Sequence, residues 1–83
     1  MATDFEKLVF DLVVPLVIHP EDLLVKKFSE DDELITIQIL VNQEDLGRVI
    51  GKGGRIANAI RTIAYAAASK IGKRVKIDID SFE

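Results

Sequence analysis

Residues 49–56 read Val-Ile-Gly-Lys-Gly-Gly-Arg-Ile, and the Gly-x-x-Gly turn inside them constrains the fold more than any other stretch. Gly51, Gly53 and Gly54 permit backbone conformations closed to other residues and let a second molecule approach without Cβ collisions. Apolar-periodic segments flank the turn on both sides, so it joins two helices rather than two strands. At the start of a helix such a turn aims unpaired N–H groups and the positive end of the macrodipole outward. That arrangement suits a phosphate. Arg48, Lys52 and Arg55 surround the turn with positive charge. The plain alternative is a helix-turn-helix joint in which the glycines only ease the bend.

Two other glycine-rich phosphate loops fail on spacing. A Walker A loop needs four residues between its first glycine and a Gly-Lys pair, followed by Ser or Thr. Here Gly47 and Gly51 enclose three residues, and Gly53 follows Lys52, leaving no hydroxyl for a metal. The dinucleotide pattern G-x-G-x-x-G follows a strand and would need glycine where Ile56 stands.

Eighty-three residues with 48% apolar content make one small domain with a modest core, and we expect it to span residues 1–83. Cysteine is absent, which excludes disulfides and thiolate metal sites. The lone His19 cannot form a metal site by itself, and it reads as a helix-end residue; no metal or cofactor is expected. The acidic N-terminus lacks the character of a signal peptide. The longest apolar run, residues 12–18, is far short of a membrane span and is broken by Pro15. These features lead to the expectation of a cytoplasmic protein without membrane insertion.

The net charge of −3 counts against a nucleic-acid partner until its distribution is read. Residues 1–45 hold eleven carboxylates against three lysines, a balance of −8, whereas residues 46–83 hold eight Lys/Arg against three carboxylates, a balance of +5. Screening confines electrostatics to about 8 Å at physiological salt, so the local basic half outweighs the total.

Along the chain, residues 4–18 have Phe5, Leu8, Val9, Leu12 and Leu16 at helical spacing, with Thr3 and Glu6 as a capping box. Pro15 shortens or kinks the last turn, and His19-Pro20 ends it. Residues 23–28 read as a short strand and residues 34–41 as a longer one, with Ile35, Ile37, Ile39 and Val41 on a single face. Between them, residues 29–33 form an acidic turn, either beside the binding groove or solvated and remote from it. Asn42 caps a short helix over 43–50, with Glu44 and Asp45 in its first turn and Leu46, Val49 and Ile50 on its buried side. The next helix covers 55–71, with Ile56, Ile60, Ile63 and Ala67 on its core side and Gly72 at its end. Val75, Ile77 and Ile79 then alternate as a final strand. The order is α-β-β-α-α-β. Phe5, Phe10, Phe28 and Phe82 read as core or terminus, which leaves no aromatic stacking platform.

This order, with Gly-x-x-Gly between consecutive helices, resembles the type II K-homology (KH) fold. More closely, the chain resembles the small bacterial single-KH proteins of the KhpA family. The resemblance rests on His19-Pro20-Glu21, Leu46-Gly47-Arg48-Val49-Ile50-Gly51-Lys52, Gly54-Arg55-Ile56, Ala59-Ile60-Arg61-Thr62 and the strand at 75–80. It implies an α+β fold with a three-stranded mixed sheet and helices on one face. It also implies a non-enzymatic protein that clamps single-stranded RNA at Gly51, Lys52, Gly53 and Gly54. Arg48 and Arg55 would add phosphate contacts, and Ile50 would line the groove. Function as an RNA chaperone or post-transcriptional regulator is implied as well. So is pairing, both with a second copy and with a larger multidomain KH protein. Asn58, Arg61, Thr62 and Tyr65 lie on the polar side of the second helix, and Tyr65 has the amphipathic character of an interface residue. A protein-docking module with secondary RNA contact is the alternative function.

Overall fold

Ile35, Ile37, Ile39 and Val41 alternate with less buried residues along the strand Leu34–Val41, and all four are fully buried. This strand, β2, is the centre of the sheet, because period-two alternation of β-branched residues gives one continuous core face. The computed structural model describes residues 4–82. Over these residues the elements are α1 (Phe5–Val13), β1 (Leu24–Glu30), β2, α2 (Leu46–Ile50), α3 (Arg55–Ser69) and β3 (Arg74–Ser81). The order α-β-β-α-α-β is thus confirmed.

The sheet runs β1-β2-β3, with β1 antiparallel and β3 parallel to β2. The hairpin between β1 and β2 is tight, whereas the parallel partner requires a crossover, which α2 and α3 supply. Residues from all three helices share one cluster with the inner face of the sheet, including Val9, Val13, Val49, Ile60 and Ala64. Helices therefore cover a single face, and the mixed α+β architecture is as expected.

Several local expectations are corrected. The N-cap of α1 is Asp4, whose Oδ1 accepts the Lys7 N–H at 3.1 Å, and Thr3 lies outside the described residues. Pro15 ends the α-helical hydrogen bonding, so α1 stops at Val13 and a 3₁₀ turn continues over Val14–Leu16. Strand β1 extends to Glu30, so the turn proper is shorter than residues 29–33. Of the four phenylalanines only Phe5 is in the core; Phe10, Phe28 and Phe82 are exposed.

The burial stripe of α3 also differs. Ala57, Ile60, Ala64 and Ala68 face the core, Ile56 and Ala67 are half-buried, and Ile63 is 44% exposed. Three of the four buried positions are alanines, whose small side chains let the helix approach the sheet closely. Hydrophobicity ranks Ile63 above those alanines, but close packing has the opposite preference. At the far end, Gly72 (φ +72°) closes α3, with Lys73 N–H donating to Ala68 O at 3.0 Å and Gly72 N–H to Ser69 O at 3.1 Å.

Candidate nucleic-acid interface

Asn42 opens the segment that carries the glycine turn, its Oδ1 accepting the Glu44 N–H at 2.9 Å as a cap. A 3₁₀ turn over Gln43–Asp45 then leads into α2. Val49 anchors α2 in the core, and Asp45 precedes it by four residues on the same side. Asp45 is fully buried, and its two carboxylate oxygens accept the backbone N–H groups of Ile18 and His19, each at 2.9 Å. A carboxylate buried this deeply is tolerable because both oxygens are hydrogen-bonded. The sequence reading placed Asp45 in a first helical turn and missed this clasp. The available signal was an Asp in helical phase with a core valine.

The clasp extends outward from Asp45. His19 Nε2 lies 2.9 Å from Glu44 Oε1, and Nδ1 lies 3.4 Å from Glu21 Oε2. The hydrogen bond to Glu44 raises the imidazole pKa above its ordinary value, with Glu21 adding in the same direction. Asn42 Nδ2 donates to Asp22 Oδ2 at 3.0 Å. The linker between α1 and β1 is thus tied to the root of α2 at three points.

From that root the chain turns sharply. Gly51 (φ +76°) ends α2 with its N–H on Gly47 O at 2.8 Å, and Gly53 (φ +64°) and Gly54 (φ +80°) follow in the left-handed region. A Cβ on Gly51 would sit 2.6 Å from Ile56 Cγ1, so packing and backbone both demand glycine there. At Gly53 and Gly54 a Cβ would meet nothing within 4 Å, and only the backbone conformation favours glycine. Gly54 occupies the N-cap of α3, where Ser, Asp or Asn would normally satisfy an N–H of the first turn. Glycine has no side chain to do so. The start of a 15-residue helix is therefore left without a side-chain cap, its dipole facing outward.

The charged side chains around this uncapped start are exposed. Lys52 and Arg55 have no carboxylate within 4.0 Å among the described residues, and Arg48 Nε stands 4.0 Å from Asp45 Oδ1. Ile50 is half-buried beside the turn. The structure brings Arg48, Ile50, Gly51, Lys52, Gly53, Gly54 and Arg55 together at the joint of α2 and α3.

The polar side of α3 divides into two parts. Asn58 and Thr62 are exposed, with Thr62 Oγ1 donating to Asn58 O at 2.8 Å. Arg61 is half-buried and donates from Nη2 to Ile77 O on β3 at 3.1 Å. Tyr65 is also turned toward β3, lining a cleft with Lys73, Arg74 and Val75.

The acidic turn borders this cleft but is remote from the glycine turn. Arg74 N–H donates to Glu33 O at 2.7 Å, which sets the hairpin beside the C-terminal end of α3, whereas the glycine turn stands at its N-terminal end. Fifteen helical residues separate them by about 22 Å, well beyond the screening length. The structure thus separates the acidic turn from the glycine turn and sets it at the other end of α3.

A Gly-x-x-Gly turn between two helices on one face of a β-β-β sheet, with the second and third strands parallel, defines a KH domain of type II. A family model described as "KhpA/KhpB, KH domain" matches residues 6–79. The chain belongs to the KhpA/KhpB KH-domain family. It is 49% identical over 74 residues to the RNA-binding protein KhpA of Listeria monocytogenes, covering 89% of this chain and 96% of that one. Identity to the RNA-binding protein KhpA of Bacillus subtilis is 43% over 74 residues, covering 89% and 90%. The fold also appears in Era. Aquifex aeolicus Era bound to GDP·AlF4⁻ superposes with a TM-score of 0.71 at 20% identity, over 94% of this chain. Era in complex with MgGDPNP and nucleotides 1506–1542 of 16S ribosomal RNA superposes with a TM-score of 0.64 at 22% identity, over 93%. This chain spans only 30% and 29% of the lengths of those two structures, and at such identity the likeness is one of fold alone.

Proposed function

We propose that this protein binds single-stranded RNA without catalysis, gripping the backbone at the glycine turn, as an RNA chaperone or post-transcriptional regulator of the cytoplasm. The observation that carries this reading is the start of α3, where three positive-φ glycines leave the helix uncapped beside Lys52 and Arg55. Backbone N–H groups and exposed cations in that arrangement bind phosphate without reading sequence. The relatives in Listeria and Bacillus are named as RNA-binding proteins, and no helix among the described residues is long and apolar enough to cross a membrane. The KH domain of 1–83 works as one unit in this reading.

Binding of octauridylate to wild type and to a Lys52→Asp, Gly53→Asp variant tests it. Two carboxylates in the turn reduce affinity by at least about 30-fold and remove the dependence of affinity on salt. Unchanged affinity would refute the clamp. A second reading is favoured by Ile63, a large apolar side chain left 44% exposed on one face of α3. Through this face the protein pairs with itself or with a larger multidomain KH protein. Sedimentation of an Ile63→Glu variant should show loss of self-association; an unchanged mass would move the interface elsewhere.

A further inference from the structure

A cleft of about 300 Å³ opens between the C-terminal half of α3 and the outer edge of β3, lined by Tyr65, Lys73, Arg74 and Val75. Its size is at the lower end of small-molecule sites and is enough for one planar ring. Tyr65 is 49% exposed there, so its ring is held at one side and open at the other. β3 pairs with β2 along one edge only, and its other edge presents unpaired backbone groups. Arg74 N–H points to β2, since it donates to Glu33 O. Arg61 reaches Ile77 O from the opposite side, so the backbone groups of Ile77 point away from β2 while its side chain stays in the core. By alternation Val75 also presents its N–H and C=O outward, into the cleft.

The charges around the cleft are unequally engaged. Lys73 Nζ is held by Glu30 Oε2 at 2.6 Å, and the Asp31 carboxylate accepts the N–H groups of Glu33 and Leu34, each at 2.7 Å. Arg74 is exposed and has no carboxylate within 4.0 Å among the described residues. Arg55, Asn58, Arg61 and Tyr65 follow at spacings of three, three and four residues, which lines them up along α3 from the glycine turn to the cleft. From Gly54 to Tyr65 the helix rises about 16 Å. That distance falls within the reach of the four nucleotides a KH module holds.

We infer that the Tyr65 cleft is a nucleobase subsite: the ring stacks a base about three nucleotides along the strand from the glycine turn, Arg74 meets the adjoining phosphate, and the Val75 backbone faces the base edge. The inference rests on the RNA-binding reading above and adds a stacking site to it, against the expectation from the sequence that the chain has no aromatic platform: Tyr65, exposed in the cleft, would supply one. Stacking accepts any base, because every base has a π-face, so the subsite adds affinity more than sequence preference.

The test uses a native probe, since Tyr65 is the single tyrosine and there is no tryptophan. Octauridylate should shift the Tyr65 ring resonances upfield in proton NMR. Tyr65→Ala should weaken binding roughly tenfold and Tyr65→Phe should stay within about twofold. Arg74→Glu, at an exposed position, should weaken binding as well and carries the test if Tyr65→Ala melts early. If the Lys52→Asp, Gly53→Asp variant loses RNA while Tyr65→Ala and Arg74→Glu bind as wild type, the subsite is refuted and the clamp stands. If the loop variant also binds as wild type, both fail. Ring resonances that move with protein concentration and ignore RNA would place Tyr65 in a protein contact and overturn the subsite.

Discussion

The two ends of α3 carry turns of opposite charge, and they use that charge differently. At the C-terminal end, two of the four hairpin carboxylates, Glu30 and Asp31, are engaged within the molecule. Glu30 is bound by Lys27 Nζ at 2.7 Å and Lys73 Nζ at 2.6 Å, and Asp31 accepts two N–H groups of its own turn. At the N-terminal end, Lys52 and Arg55 have no such partners among the described residues, and the helix start is left without a side-chain cap. The difference separates charge engaged within the fold from charge left exposed, as the proposed RNA clamp requires. A residue count per half of the chain cannot make that separation. Only the partners can.

Asp45 is the strongest challenge to this division, because it is a fully engaged carboxylate at the glycine-turn end. Asp45→Ala leaves the Ile18 and His19 N–H groups buried without an acceptor and should cost about 3 kcal/mol of stability, read from urea unfolding. A loss under about 1 kcal/mol would mean that the clasp contributes little and that the loop end holds its shape by other means. Next in size is the glycine pair. Gly51→Ala forces a Cβ against Ile56 at positive φ and should cost about 2 kcal/mol, whereas Gly53→Ala meets open space and should cost about 1 kcal/mol. Equal losses would show that backbone conformation alone, and not the contact with Ile56, selects glycine in the turn.

The smallest effect sharpens the acidic end. Hydrogen bonds from Lys27 and Lys73 hold the Glu30 carboxyl down to about 2. Because its folded value is below the unfolded one, its contribution is present above the ordinary value of 4.5 and is lost as pH falls toward 2. Unfolding midpoints followed through that window should fall more steeply for wild type than for a Lys27→Ala, Lys73→Ala variant. Parallel curves would show that these ion pairs do not stabilise the hairpin end.

Much of the fold was legible because its signals are local. Alternation along β2, the cap at Asn42, the glycine turn and the glycine at the end of α3 each act within a few residues of where they appear. The loop residues of the site were legible for the same reason, being contiguous. Ile63 misled the reading of α3, since a hydrophobic residue at core-like spacing is outcompeted by alanines where a helix packs tightly on a sheet. Arg74, which the proposed subsite adds, was invisible in the sequence because it is distant from the turn and lies beside it only along the groove between α3 and β3.

By itself, then, the sequence determined the order of elements, the two-helix joint and the need for glycine within it, since these depend on backbone freedom and short-range periodicity. The tertiary structure decided which charges are engaged and which are exposed. Asp45 finds its partners 26 and 27 residues away, Arg61 reaches a carbonyl 16 residues on, and Lys73 closes on Glu30 across 43 residues. Such pairings arise only when the sheet and helices have packed, because burial and geometry, rather than residue type, determine which polar groups meet.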